Sequence, residues 1–242
     1  HHHTLRRQRQ MCIRDRYNNA YKTDPTSAFG GIITFNKKVN HQLISKILEK
    51  QFVEVIAAPG FDKQTMDVIQ KKPNVRLLKI KLKKKKEVVY ETKLLRDKLL
   101  VQEKDNKYIT SKDLTTVTTK KPTAKQIEDM IFAFKISRYV KSNSIVIVKN
   151  NRTLAIGAGQ MSRIDSTNIA YNKAKKEKIS LGGSVMASEA FFPFRDNVDL
   201  AKKLGVSAII QPGGSINDEK IIKVANQHKL SMCFSHTRVF KH

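Results

Sequence analysis

Residues Ala208–Ile222 read AIIQPGGSINDEKII. An apolar run of strand length stops at Pro212, Gly213 and Gly214, and apolar residues then return at helical spacing. Val55–Gln70, VIAAPGFDKQTMDVIQ, sets an apolar strand against Pro59, Gly60 and a helix in the same way. Two strand–Pro-Gly–helix units in one chain predict a duplicated α/β fold. In such folds ligands sit beyond the carboxyl ends of the strands, where helix N-termini offer unpaired N–H groups. The Pro212–Ser215 turn falls at such a place.

Outward from these units the chain alternates short apolar runs with amphipathic stretches. FGGIITF, FVEVIAAP and NVRLLKI predict strands around the helices NHQLISKILEK and DKQTMDVIQKK. A charged middle without clear period follows. TAKQIEDMIFAFKISRYVK then opens a long helix, with Thr123 as N-cap and Gln126 closing a capping box. IVIVK and LAIGA predict two strands around the Asn150-Asn151-Arg152 turn. The end repeats the opening plan: a strand near Val185–Ala187, a helix DNVDLAKKL stopped by Gly205, strand SAIIQP, helix NDEKIIKVANQ and strand SMCFS. The expected boundary between the lobes is the Lys120–Pro122 region, giving lobes over 17–121 and 122–242.

At 242 residues the chain can bury a sizeable core as one large domain or two small ones. No apolar run approaches the roughly 18 to 20 residues of a membrane span. Cys12 and Cys233 form no disulfide framework, which fits a reduced, cytoplasmic setting. Residues 1–16, HHHTLRRQRQMCIRDR, lack strand or helix period and are arginine-rich in an otherwise lysine-rich chain; they read as a foreign leader, with a nucleic-acid-binding arm as the other reading. The net charge is +26, and +22 remains without that leader. The densest cluster lies in Leu77–Glu87, above all Lys81–Lys86. A solvated surface, attraction of a polyanionic small molecule and a nucleic-acid-binding module all accommodate it. A dedicated single-strand binder interleaves arginine and aromatic residues, and here none follows until Tyr90.

Four stretches combine special backbone with polar or aromatic groups. TDPTSAFGG places Asp24 before Pro25, which holds it extended. SNS, Ser142–Ser144, joins the long helix to a strand, and GAGQMSRIDS puts Gln160, Ser162 and Arg163 at a helix start. SEAFFPFRDN, Ser188–Asn197, crowds three phenylalanines around Pro193 before an Arg-Asp pair, a wall suited to a flat ligand with a polar edge. Gly157 and Gly159 lack the third glycine of a dinucleotide fingerprint.

TDPTSAFGG, KSNSIV, GAGQMSRI, AFFPFRDN, IQPGGSI and the terminal TRVFKH, in this order, resemble the transformylase part of the bifunctional purine-biosynthesis family that joins AICAR formyltransferase to IMP cyclohydrolase. The resemblance spans residues 17–242. It implies duplicated three-layer lobes of cytidine-deaminase-like fold and a homodimer with active sites at the subunit interface. It further implies formyl transfer from 10-formyltetrahydrofolate to the 5-amino group of AICAR, without a required metal. Asp24 would orient the nucleotide and Asn143 would hydrogen-bond the reacting carboxamide or formyl group. Arg163 and Arg238 would hold phosphate or carboxamide, and Phe191 would contact the imidazole. Ile164, Ser215 and Ile216 would lie along the folate. A monovalent cation near Ser142, Ser144 and Glu189 is compatible with the family.

The family's Lys-His catalytic motif, K-H-x-N/S-P, and its R-Y-G…N-P-H-Q motif do not occur in these residues, nor does the cyclohydrolase part. The sequence therefore reads as an N-terminally truncated transformylase. His41, His228, His236 and His242 match no catalytic position and are assigned surface or capping roles. A zinc deaminase is excluded, because two isolated cysteines cannot supply its P-C-x-x-C metal segment.

Overall fold

A computed structural model of the chain describes residues 2–82, 89–104 and 107–241. His242 and Lys83–Lys86, the greater part of the lysine cluster, lie outside the described residues. The chain forms two compact units, one over 25–107 and a larger one from the first 24 residues together with residues from 108 on. Both are mixed α/β.

The larger unit starts with α1, His2–Thr23. The patternless reading of residues 1–16 is thus corrected: one helix runs from His2 through Thr23. It is tied to the larger unit where Thr23 Oγ1 donates to Thr153 O at 2.7 Å and Arg16 Nη1 to Asn151 O at 3.3 Å.

The smaller unit contains β1 (Gly31–Thr34), α2 (His41–Lys50), β2 (Val53–Ala58), α3 (Thr65–Gln70) and β3 (Arg76–Lys79). The three strands are parallel in chain order. Leu43, Ile44 and Ile47 of α2 are buried with Val53, Ile56, Ala57 and Ala58 of β2. Asn40 caps α2 by accepting from Leu43 N at 3.1 Å. Asp62 joins the two helix starts, accepting from His41 Nδ1 at 2.8 Å and from Thr65 Oγ1 at 2.6 Å. The upward push of burial on its pKa is outweighed by these hydrogen bonds, so Asp62 titrates below the usual range. The charged middle, unassigned from sequence, holds a hairpin of β4 (Tyr90–Leu95) and β5 (Lys98–Glu103).

In the larger unit a short 3₁₀ turn over Ser111–Asp113 precedes β6 (Thr115–Thr116) and α4 (Ala124–Ser137). Thr123 and Gln126 close the expected capping box, with Gln126 N to Thr123 Oγ1 at 3.2 Å and Thr123 N to Gln126 Oε1 at 2.8 Å. There follow β7 (Ile145–Lys149), β8 (Arg152–Gly157), α5 (Arg163–Lys176), β9 (Val185–Ser188), α6 (Asp196–Lys203), β10 (Ala208–Gln211), α7 (Asp218–Gln227) and β11 (Ser231–Phe234). The sheet order is β6-β11-β10-β9-β7-β8, with β9, β10 and β11 parallel.

Alternation along the strands builds a core on each face. Ile145, Ile147, Met186, Ile209 and Met232 pack with Ala170 and Ala174 of α5, Val198 and Ala201 of α6, and Ile221 and Val224 of α7. Val146, Val148, Val185, Ile210 and Cys233 pack with Met130, Ala133 and Phe134 of α4. This unit therefore has three layers, and burial on both faces explains why its strands read as continuous apolar runs. Its β9-α6-β10-α7-β11 path matches the β1-α2-β2-α3-β3 path of the smaller unit.

The chain enters the larger unit ahead of the expected Lys120–Pro122 boundary. Ile109 and Leu114 already join the core beneath α4, and Thr115 and Thr116 of β6 pair with Phe234 and Cys233 of β11.

Asp199 links α6 to α7. It accepts from Arg195 Nε at 2.7 Å and lies 2.6 Å from His228 Nε2. Those hydrogen bonds, that from Arg195 first, hold its pKa down at about 2. A depressed carboxylate contributes stability that is present above the unfolded value and lost as pH falls through the folded one. The stability difference between wild type and Asp199→Asn should therefore be below about 1 kcal/mol at neutral pH and vanish between pH 4 and pH 2, read from urea midpoints across that range.

Candidate active site

The strand pairing gathers several loops at one edge of the larger sheet. Ser188 lies opposite Ile145, and Ile145 opposite Gly157. Gln211 and Phe234 end β10 and β11 at the same level. The segments before β7 and after β8, β9, β10 and β11 therefore converge there, where α/β sheets place ligands.

At its centre Glu189 and Arg163 form a buried ion pair, with Arg163 Nη2 at 3.1 Å from Glu189 Oε1 and side-chain exposures of 9% and 0%. An unpaired charge there would be costly, so the carboxylate is satisfied on both oxygens. Oε1 accepts from Ser144 N at 3.2 Å and Oε2 from Ser144 Oγ at 3.2 Å, while the one hydroxyl proton of Ser188 goes to Ala190 O at 2.7 Å. Arg163 also donates from Nη1 to Phe191 O at 3.1 Å and from Nη2 to Asn143 Oδ1 at 2.9 Å. That bond fixes the orientation of the Asn143 amide, whose Nδ2 donates to Gln160 O and Met161 O, both at 3.0 Å. The Ser142–Asn143 peptide is cis.

Close backbone packing seats α5 under this pair. A Cβ on Gly157 would lie 1.8 Å from Ser166 O, so glycine is required where β8 meets the helix. Ser162 caps α5 by accepting from Asp165 N at 3.2 Å, and Ser166 Oγ donates to Asn143 O at 2.7 Å. Thr167 Oγ1 donates to Asn197 Oδ1 at 2.7 Å, joining α5 to α6.

The aromatic wall stands beside the pair. The Arg238 guanidinium sits 4.9 Å above the half-buried Phe191 ring. Val239 N donates to Glu189 O at 3.1 Å, and Ser142 N to Lys241 O at 2.9 Å, fastening the last residues to the same edge. Asn217 Nδ2 donates to Pro193 O at 3.0 Å, tying the loop that carries Ser215 and Ile216 to the phenylalanine stretch. Ile216 is fully exposed. Gly213, at φ 73°, packs its backbone against Phe234, where a Cβ would lie 2.4 Å from the ring.

Of the residues singled out from sequence, Asn143, Arg163, Phe191 and Arg238 thus come together. Ile164 adjoins them, half-buried on α5, and Ser215 and Ile216 flank them. Asp24 does not join them within this unit. It pairs with Lys173 at 2.7 Å, ten residues beyond Arg163 on α5, or roughly 15 Å along the helix. Sequence reasoning named Glu189 only in connection with a cation. The structure makes it the counter-ion of Arg163, and its signal was a lone carboxylate in the apolar run VMASEAFF. Arg163 balances that charge, and Ser144 donates to both oxygens of the carboxylate. Among the described residues no group of three His, Cys, Asp or Glu is placed to hold a metal.

As a whole the edge offers cationic donors, one aromatic face and a rigid amide network, an arrangement suited to a flat anionic heterocycle. A family model described as AICARFT/IMPCHase bienzyme matches residues 8–173. Two proteins named bifunctional purine biosynthesis protein PurH, from Xanthomonas oryzae pv. oryzae and Xanthomonas axonopodis pv. citri, are each 46% identical over 228 residues, or 94% of this chain. The chain spans 43% of their length. A solved diaminohydroxyphosphoribosylaminopyrimidine deaminase/5-amino-6-(5-phosphoribosylamino)uracil reductase from Thermotoga maritima aligns with 45% of this chain and 35% of its own at TM-score 0.31 and 18% identity, a likeness too small to carry an argument.

The buried pair yields a stability prediction. Glu189→Ala should lower unfolding free energy by about 3 kcal/mol, because it leaves the Arg163 guanidinium buried without its counter-ion. Glu189→Gln should lose less. Urea unfolding of both variants checks the order.

Proposed function

The chain belongs to the AICARFT/IMPCHase bienzyme family, and from that premise we propose that the strand-edge cluster is the nucleotide half of an AICAR transformylase site in purine biosynthesis. One observation supports this most: Arg163, held by buried Glu189, bridges Asn143 and the Phe191 carbonyl while Arg238 stands over the Phe191 ring. A flat imidazole carboxamide ribotide matches such a place. Its phosphate or carboxamide meets two guanidiniums, and its ring lies against Phe191.

In this reading 10-formyltetrahydrofolate lies along Ile164, Ser215 and Ile216. The 5-amino nitrogen of AICAR attacks the formyl carbon; the new N–C bond forms as the bond to folate N10 breaks. The amine loses a proton and N10 gains one. Asn143 serves the reacting carboxamide or formyl group by exchanging one of its bonds to the Gln160 and Met161 carbonyls. Asp24 orients the nucleotide from a second copy, in keeping with a homodimer whose sites are shared. The matching β-α-β-α-β paths of the two units support a duplicated, cytidine-deaminase-like plan, and the enzyme works in the cytoplasm.

Proton transfer needs a positioned base, and groups of that kind contribute about 10²–10⁴-fold each. No K-H-x-N/S-P segment lies in these 242 residues. The expected outcome is weak AICAR binding by calorimetry, lowered about tenfold or more by Arg163→Ala or Phe191→Ala, with no formyl transfer by this chain alone. AICAR affinity unchanged by both substitutions would defeat the site assignment, and turnover by the unaided chain would show that its catalytic groups lie among the residues present.

A further inference from the structure

One peptide carries the aromatic wall, and buried side chains hold both of its polar groups. The Phe191 carbonyl accepts from Arg163 Nη1 at 3.1 Å. The N–H of the same peptide, on Phe192, donates to Gln211 Oε1 at 2.7 Å. A planar trans peptide directs its C=O and N–H to opposite sides. Residues from α5 and from the end of β10 therefore grip it from opposite sides. Fixing that plane fixes where the Phe191 Cα stands, and with it the ring beneath Arg238. Phe192 is wholly buried in the core and Phe191 half-buried at the site, so the two neighbours serve as root and wall.

Gln211 is the one polar residue of β10, AIIQ, and it is wholly buried. Its backbone is fixed by pairing with Phe234 and by Ser235 N, which donates to Gln211 O at 2.9 Å. The Phe192 N–H can only donate, so the amide must turn Oε1 toward it. That orientation leaves Nε2 facing Met232 Sδ at 3.5 Å, a weak acceptor. Met232 and Phe192 both belong to the apolar core. An apolar side chain of the same volume would suit those neighbours as well or better. What an apolar side chain cannot supply is the oxygen that the Phe192 N–H requires.

We propose that Gln211 is a positioning residue for the ligand ring: with Arg163 it clamps the Phe191–Phe192 peptide and so holds the Phe191 face against the heterocycle. The role in binding rests on the transferase reading of the site; the clamp itself does not. Being wholly buried, Gln211 acts through Phe191 and not by contact with ligand. Removing its oxygen leaves a buried N–H without an acceptor, and the peptide turns to find one, carrying the ring with it.

Two measurements test it, each on Gln211→Met, which keeps the unbranched shape without the amide, and on Gln211→Glu, which keeps an oxygen acceptor. Gln211→Leu takes the place of Gln211→Met if that variant does not fold. The chain has no tryptophan, so Phe191→Trp sets a single indole at the wall. Acrylamide quenching of that indole, without ligand, should rise about twofold or more with Gln211→Met and stay unchanged with Gln211→Glu. By calorimetry, Gln211→Met should weaken AICAR binding about fivefold or more, and Gln211→Glu about twofold at most. The loss should vanish in a Phe191→Ala background, because a residue acting through the ring has no effect once the ring is gone. Quenching unmoved by Gln211→Met, or an equal loss of affinity with and without the Phe191 ring, would overturn the proposal. Affinity insensitive to Phe191→Ala would instead defeat the site assignment, and quenching alone would then decide the clamp.

Discussion

A single buried ion pair organises the candidate site. Glu189 is wholly enclosed at the end of β9, and a charge so placed persists only with a partner and with its remaining oxygen positions hydrogen-bonded. Arg163 meets the first need, and Ser144, through its amide and its hydroxyl, meets the second. The consequence is positional. The guanidinium that balances Glu189 also grips Asn143 and the Phe191 carbonyl, so three loops distant in sequence share one anchor.

That anchor depends on the sheet beneath it. Strict alternation in Ile145–Val148 sends neighbouring side chains into opposite cores, one under α5, α6 and α7 and the other under α4. Gly157 lets α5 approach until Ser166 reaches the Asn143 carbonyl. The final residues run back along the same edge and carry Arg238 over Phe191. Cationic donors, an aromatic face and a fixed amide are therefore consequences of the way the core is packed.

Much of this could be read from the chain itself, for identifiable reasons. Apolar strands, the Thr123 capping box and the helix stop at Gly205 are local signals, and the structure repeats each of them. The Pro-Gly turns marked the paired β-α-β-α-β paths, and the phenylalanine stretch lies where the loops converge. The β4–β5 hairpin was not legible because neither face is buried: its side chains follow no core, and its turn uses Arg96 at φ 53° in place of the usual Asn-Gly. The lobe boundary was set too late because Ile109 and Leu114 enter the core through long-range packing that local period does not reveal. Glu189 enters the sequence reading only beside a cation, and only the fold brings Arg163, 26 residues away, to its side. Asp24 appeared to belong with the cluster, whereas Lys173 holds it further along α5.

The most direct measurement is a double-mutant cycle between Glu189 and Arg163 read by urea unfolding, with Glu189→Ala, Arg163→Ala and the double variant. If the pair anchors the site, removing either partner exposes the other to the same penalty, and the coupling should reach about 2 kcal/mol or more. Effects that add to within about 0.5 kcal/mol would contradict the account, since the two residues would then act independently.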